Sequence, residues 1–220
     1  MQNKSSAVMQ RDHEPHDSLG DFPTPPWATR ALCERLQNPC DILLNGDRPK
    51  SALSTWPLTC REPAANRGHM VKALREYFPT VEASDIFDYG AGFAVQDYLF
   101  GPDPDPVDWT ITNPPFRLAE QFIARALATS TQGVAVIVRS AFLEGIGRYR
   151  GLFSQTPPTN ILQFSERVVM HKGRLSAKGS TATAYCWLIW NKREPKGGPT
   201  EFDWIPPCRK QLERPEDYPS

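Results

Sequence analysis

Five consecutive residues, Thr112-Asn113-Pro114-Pro115-Phe116, hold the most legible chemistry in this chain. They come directly after Val107-Asp108-Trp109-Thr110-Ile111, an apolar, β-branched run expected to form a buried strand. Two prolines cannot continue a central strand, so the strand must stop there and leave the turn beyond it exposed. A residue before proline is held extended, which stiffens the turn. On that frame Asn113 offers an amide oxygen and Pro114 a backbone carbonyl, two hydrogen-bond acceptors. Such a pair suits an sp²-attached NH2 group whose lone pair is delocalised into a ring or an amide. Accepting both N–H bonds shifts that nitrogen towards tetrahedral, nucleophilic geometry without any basic residue. Phe116 adds a flat apolar face for a planar substrate. In isolation, Asn-Pro-Pro is also common loop punctuation. Its meaning depends on the elements that hold it.

Residues 1–20 are polar and charged, without apolar periodicity, and are expected to form a disordered arm. No metal site is assigned to His13 and His16 within it. Asp21-Phe22-Pro23-Thr24-Pro25-Pro26-Trp27 leads into a short helix over 28–36, with a proline near its first turn. Residues 38–55 are expected to form an irregular connection. A first strand is expected over 56–61, then the turn Glu62-Pro63-Ala64-Ala65-Asn66-Arg67-Gly68-His69-Met70. Small residues between a strand and a helix let a ligand approach the backbone. The next helix, 68–77, carries Met70, Val71, Leu74, Tyr77 and Phe78 on one stripe.

A second strand over 80–84 ends at Asp85-Ile86. An acidic residue there, roughly 20 residues past a glycine-rich turn, is where Rossmann-like folds bind ribose hydroxyls. A short third strand, 93–96, leads to Asp97-Tyr98. Beyond the Asn-Pro-Pro turn, 117–130 is an amphipathic helix and 133–138 is apolar on both faces, as a central parallel strand should be. Residues 142–153 are partly helical. Strands over 161–170 and 183–190 flank a glycine-rich basic loop, 171–179, and a proline-rich tail from 193 runs over the surface. Strands alternating with helices imply a doubly wound α/β sheet. In such folds ligands bind beyond the carboxyl ends of the strands, where strand order reverses.

Thr-Asn-Pro-Pro-Phe resembles the catalytic motif of S-adenosylmethionine-dependent amino methyltransferases, especially DNA adenine-N6 enzymes of the bacterial and phage type. The family pattern is Asp/Asn-Pro-Pro-Tyr/Phe/Trp, and Asn113, Pro114, Pro115 and Phe116 match it. The resemblance implies a Rossmann-like class I methyltransferase fold: a mostly parallel seven-stranded sheet with an antiparallel edge hairpin. It also implies S-adenosylmethionine as cofactor and an adenine turned out of DNA as acceptor. Phe22, Thr24 and Pro25 match the segment that covers the cofactor's methionine end. Glu62, Pro63, Ala64 and Gly68 match the family's Glu/Asp-Pro-Ala-x-Gly-x-Gly turn, with Asn66 where the first glycine is expected. Asn is the non-glycine residue most willing to take positive φ, so the turn is expected to survive. Asp85, with Ile86 beside it, falls at the ribose position. Asp97 and Tyr98 fall where the family bonds and covers the cofactor's adenine. The resemblance spans about residues 21–190, with a methyltransferase domain over 21–192 and a tail over 193–220.

The formal charge is zero, so no global field announces a polyanionic partner. Its distribution is uneven. Residues 82–116 hold seven carboxylates and no Lys or Arg, while 139–178 hold seven Lys or Arg against Glu144 and Glu166. Arg139, Arg148, Arg150, Lys172, Arg174 and Lys178 are therefore the candidates for gripping phosphates. Five cysteines without Cys-x-x-Cys spacing argue against a disulfide framework or zinc site and fit a reducing cytoplasm. No membrane-length apolar run is present, and no metal is expected. The oligomeric state is left open by the sequence. Protein glutamine-N5 and RNA adenine-N6 methyl transfer remain alternatives, because both acceptors pose the same lone-pair problem. So does a non-catalytic nucleic-acid-binding module of the same fold.

Overall fold

The computed structural model describes residues 20–37, 58–177, 179–195 and 197–218. The expected arm before Gly20, the connection over 38–55, Trp56 and Lys178 lie outside the described residues. Among the described residues, eight strands form one sheet: β1 (Thr59–Glu62), β2 (Thr80–Asp85), β3 (Ala94–Val95), β4 (Val107–Thr112), β5 (Ser130–Arg139), β6 (Asn160–Phe164), β7 (Tyr185–Asn191) and β8 (Glu201–Ile205). Their order is β3-β2-β1-β4-β5-β7-β6-β8. Strands β1 to β5 pair in parallel, and β7 runs antiparallel to both β5 and β6. This is the doubly wound, Rossmann-like architecture expected from the sequence, and its order reverses between β1 and β4. The ends of those two strands therefore open a crevice at the switch point.

Helices α1 (Pro26–Gln37) and α2 (His69–Leu74) cover one face, and α3 (Ala119–Thr129) covers the other. In β4 and β5 nearly every side chain is buried, which explains their continuous apolar runs. The two strands could not be this close with an ordinary residue at Gly133. A Cβ there would lie 2.4 Å from the Trp109 ring. Cys33, Cys60, Cys186 and Cys208 are buried free thiols that act as small core residues.

Several boundaries differ from those expected. Helix α2 ends at Leu74 instead of 77, because Phe78 precedes Pro79 and is biased away from helical geometry. Strand β6 stops at Phe164, opposite Ile205, the last residue of β8. Residues 140–153 divide into a 3₁₀ turn (Ser140–Leu143), the single α-turn α4 (Ile146–Arg148) and a π-helical turn (Tyr149–Phe153). The larger correction is the sheet itself, which has eight strands where seven were expected. The stretch read as a surface tail supplies β8, paired in parallel with β6 and burying Ile205.

The chain beyond β8 docks as well. Its short helix α5 (Arg209–Leu212) lies against α1, with Leu212 in the core. Arg30 of α1 is 1 % exposed and donates to Asp217 at 2.7 and 2.8 Å, to Glu76, and to the Leu212 carbonyl. Burial alone would raise the Asp217 carboxyl, but the Arg30 hydrogen bonds outweigh it and hold the carboxyl below its usual range. Its stabilisation is therefore complete above the unfolded value and lost only as pH falls through the lower folded value. Asp217→Ala leaves Arg30 buried with Glu76 as its remaining carboxylate, and should cost about 3 kcal/mol. Urea unfolding at neutral pH measures this, and a loss under about 1 kcal/mol would mean that the pair does not hold the C-terminal segment.

Candidate functional site

The neighbouring ends of β1 and β4 bring Glu62 and Thr112 together across the switch point. The Thr112 hydroxyl donates to Glu62 Oε1 at 2.6 Å, and the Ala64 N–H donates to the same oxygen at 3.0 Å. Among the described residues, none hydrogen-bonds the buried Oε2. Burial pushes the carboxyl up to about 8, against the lowering effect of the Thr112 and Ala64 bonds. A buried carboxylate oxygen with nothing donating to it is costly, and a cationic ligand group would relieve that cost.

Glu62 lines a cavity of about 290 Å³, near the small end of ligand pockets (roughly 300–1,000 Å³). Four stretches build the walls. Gly20, Phe22, Pro23 and Thr24 come from the segment before α1, and Pro63, Ala64, Ala65, Asn66 and His69 from the turn after β1. Asp85, Ile86, Asp97, Tyr98 and Leu99 come from the ends of β2 and β3, and Asn113, Pro115, Leu118 and Phe122 from β4 and α3. Most of the cofactor positions expected from the sequence are thus gathered in one cavity.

Asn66 stands at φ 49°, the left-handed conformation anticipated for it. Its side chain also does what glycine could not: Nδ2 donates to Asp21 Oδ1 at 2.8 Å. Arg67 donates to the same oxygen at 2.7 Å, and the Asp21 carbonyl accepts from the Gly173 N–H at 2.9 Å. Asp21 thereby pins the segment over the cavity to the turn on one side and to the basic loop on the other. The Asp85 carboxylate accepts from the Asn66 and Phe87 N–H groups at 2.8 and 3.1 Å. Burial raises it despite those bonds. Each of its oxygens keeps a lone pair for a hydroxyl.

Other positions depart from expectation. The Tyr98 ring is buried on Phe122 with centroids 5.1 Å apart, and its hydroxyl points at Thr129. It forms wall structure, and the half-exposed Ile86 is the apolar group open at the rim. Pro25 and Gly68 do not line the cavity; Pro25 starts α1 through its carbonyl, and Gly68 caps α2 at φ 83°. His69, Leu118 and Phe122 were not singled out by the sequence. The last two share a helix stripe that cannot be told from core by periodicity. Burial and then Arg67 hold the His69 imidazole below its usual pKa.

Asn113 is fixed by its amide nitrogen, which donates to the Phe22 carbonyl at 2.8 Å and to Thr24 Oγ1 at 3.0 Å. With Nδ2 committed twice, Oδ1 is the atom left to accept from a substrate. The Pro115 carbonyl is taken by the Leu118 N–H, and Pro114, whose carbonyl was expected as the second acceptor, is buried and outside the cavity lining. Phe116 is half-buried beside Phe22, centroids 5.5 Å apart, outside the cavity lining.

The basic candidates are divided. Arg148 is engaged within the protein: it pairs with Glu120, donates to the Phe142 and Glu144 carbonyls, and stacks on the Phe142 ring at 3.9 Å. Arg150 on the π-helical turn and Lys172 and Arg174 on the loop are exposed. Arg139 lies over Phe116 at 4.1 Å.

No family profile and no curated protein matches the sequence. Solved structures do match the fold. A Listeria monocytogenes protein assigned as a class I S-adenosylmethionine-dependent methyltransferase superposes with a TM-score of 0.59 at 13% identity, over 92% of this chain and 70% of that one. The methyltransferase subunit of a Streptococcus thermophilus type I restriction-modification system gives 0.54 at 11% identity, over 81% of this chain and 46% of that one. A Pyrococcus horikoshii protein assigned as an RNA methyltransferase gives 0.51 at 15% identity, over 84% and 95%. At these identities the likeness establishes the class I methyltransferase fold.

The raised Glu62 carboxyl has a measurable consequence for the ligand-free protein. The native state holds this proton up to about pH 8, whereas the unfolded chain releases it near the ordinary glutamate value. Stability should therefore fall as pH rises between those values. Glu62→Gln removes the titration: the variant should match wild type near pH 4.5 and gain on it steadily towards pH 8. Urea unfolding across that range checks this, and a difference independent of pH would refute the assignment.

Proposed function

We propose that this chain transfers a methyl group from S-adenosylmethionine to N6 of an adenine turned out of DNA. One observation carries the reading: Asn113 is locked by Phe22 and Thr24 so that an amide oxygen is presented beside the cavity. The residues present fit the cofactor. The unpartnered Glu62 Oε2 suits its ammonium, Asp85 its ribose hydroxyls, and Asp97 with Ile86 its adenine. When bound, S-adenosylmethionine supplies a methyl group on a sulfonium, an electrophile strong enough for a neutral amine.

The chain's own part is to orient and polarise that amine. Asn113 Oδ1 and the Pro114 carbonyl accept its two N–H bonds, which withdraws the lone pair from the ring. Both acceptors strengthen as the nitrogen becomes positive, so they favour the transition state over the ground state. A base in a duplex reaches such a site only by leaving the stack. Phe116 supports an aromatic acceptor over an aliphatic amide, and the exposed Arg150, Lys172 and Arg174 support a phosphate-bearing one. Two structural neighbours named for restriction-modification and for RNA methylation agree with a nucleic-acid substrate.

Incubation with isotope-labelled cofactor and DNA, RNA or protein, then digestion and mass spectrometry, should give N6-methyladenine in DNA. Label in glutamine or in RNA alone would replace the acceptor. Asn113→Ala should lower kcat by about 10²–10³ with cofactor binding retained, because it removes an acceptor that matters most in the transition state. Phe116→Ala should weaken acceptor binding by about 1–3 kcal/mol, and Phe116→Trp should recover much of it. An Asn113→Ala protein that methylates at the wild-type rate would end the catalytic assignment.

A further inference from the structure

Arg139 is the last residue of β5, next to β4 in the parallel register that pairs Thr112 with Val136. Its side chain reaches over the end of β4. The guanidinium carbon lies 4.1 Å from the Phe116 ring centroid and 5.7 Å from that of Phe22. The guanidinium is planar and cationic, and it covers one face of the Phe116 ring, so a flat acceptor stacking there would have to displace it. A nucleobase and this guanidinium cannot both occupy that face. Yet Arg139 is itself exposed, so the contact is a reversible surface one. In the same conformation Tyr185, opposite it on β7, is within hydrogen-bonding reach of its side chain.

We propose that Arg139 keeps the seat of the target base on Phe116 until a nucleotide enters, and then yields it, its charge passing to that nucleotide's phosphate. The proposal rests on the adenine-methyltransferase reading and adds a positioning residue to it. Stacking a base on an aromatic ring is worth more than an exposed cation–π contact. The exchange is therefore favourable when the departing cation meets a phosphate, and a nucleoside without phosphate gains less from it. The Arg139 stack thus opposes bare nucleosides and favours nucleic acid. It also keeps the two rings, Phe22 and Phe116, from presenting an open apolar patch beside the cavity.

The two halves of the proposal predict opposite effects of one substitution. Binding is measured with S-adenosylhomocysteine saturating, so that added nucleoside cannot enter the cofactor cavity. Arg139→Ala should bind 2′-deoxyadenosine about two- to five-fold more tightly, the scale of an exposed cation–π contact released from competition. The same variant should bind single-stranded DNA more weakly, with a log–log salt slope shallower by roughly 0.7. Arg139→Lys keeps the charge without the planar stack, so it should retain the wild-type slope while still gaining nucleoside affinity. Deoxyadenosine affinity that is unchanged or lower in Arg139→Ala would show that the guanidinium does not hold the seat, and would overturn the proposal. An unchanged salt slope would overturn the transfer to phosphate. Wild-type protein that binds S-adenosylmethionine but neither deoxyadenosine nor DNA would refute this proposal together with the function it rests on. N6-methylation of DNA with unchanged nucleoside affinity in Arg139→Ala would refute the proposal alone.

Discussion

The site depends on one buried hydrogen bond, from the Thr112 hydroxyl to Glu62 Oε1. It joins the ends of two strands that are adjacent in the sheet but 50 residues apart in the chain. Because the order reverses between these strands, their connections leave in opposite directions and the crevice between them stays open. Thr112 precedes Asn113, and Glu62 precedes the turn that lines the cavity. The bond therefore sets the distance between the group that would hold a cofactor and the group that would polarise an acceptor. Its placement on rigid strand ends gives both side chains a defined position at low entropic cost.

The segment before α1 completes what the strands begin. Phe22 and Thr24 orient the Asn113 amide, and Asp21 ties the same segment to Asn66 and to Gly173. A few residues thus contact the cavity turn, the Asn-Pro-Pro turn and the basic loop at once. Anything that lifts this segment loosens the orientation of Asn113 and uncovers the cavity together. Asn66 illustrates how one substitution serves both backbone and side chain. It tolerates positive φ where glycine would be usual, and it supplies a latch that glycine lacks.

The chain beyond β7 has a supporting role. Strand β8 extends the sheet past β6, and the turn after it is tied back when the Glu166 carboxylate accepts the Cys208 and Arg209 N–H groups. Arg30 then holds Asp217 against α1 and α2. Helix α2 leads directly out of the cavity turn, so the C-terminal segment braces the element on which that turn rests. Burying an arginine carries a desolvation cost, offset here by two carboxylates and a carbonyl.

The sequence by itself determined what depends on a few neighbouring residues. Prolines had to end β4 at Thr112, apolar continuity had to bury β4 and β5, and Asn66 could take positive φ where the resemblance expects a glycine. Each of these comes from local sterics or from side-chain period. The order of elements then implied a doubly wound sheet, and with it the meeting of Glu62 and Asn113. What only the tertiary structure decided are partnerships between distant residues. β8 was hidden because Glu201–Ile205 is short and flanked by prolines, and only pairing with β6 makes it a strand. Six basic residues looked alike in sequence, but packing committed Arg148 to Glu120 and Phe142, set Arg139 on Phe116, and left Lys172 and Arg174 exposed. The orphaned Glu62 oxygen and the Asp21 latch are equally invisible beforehand. A side chain's charge and size are local properties, but its solvation and its partners are set by whatever the rest of the chain brings against it.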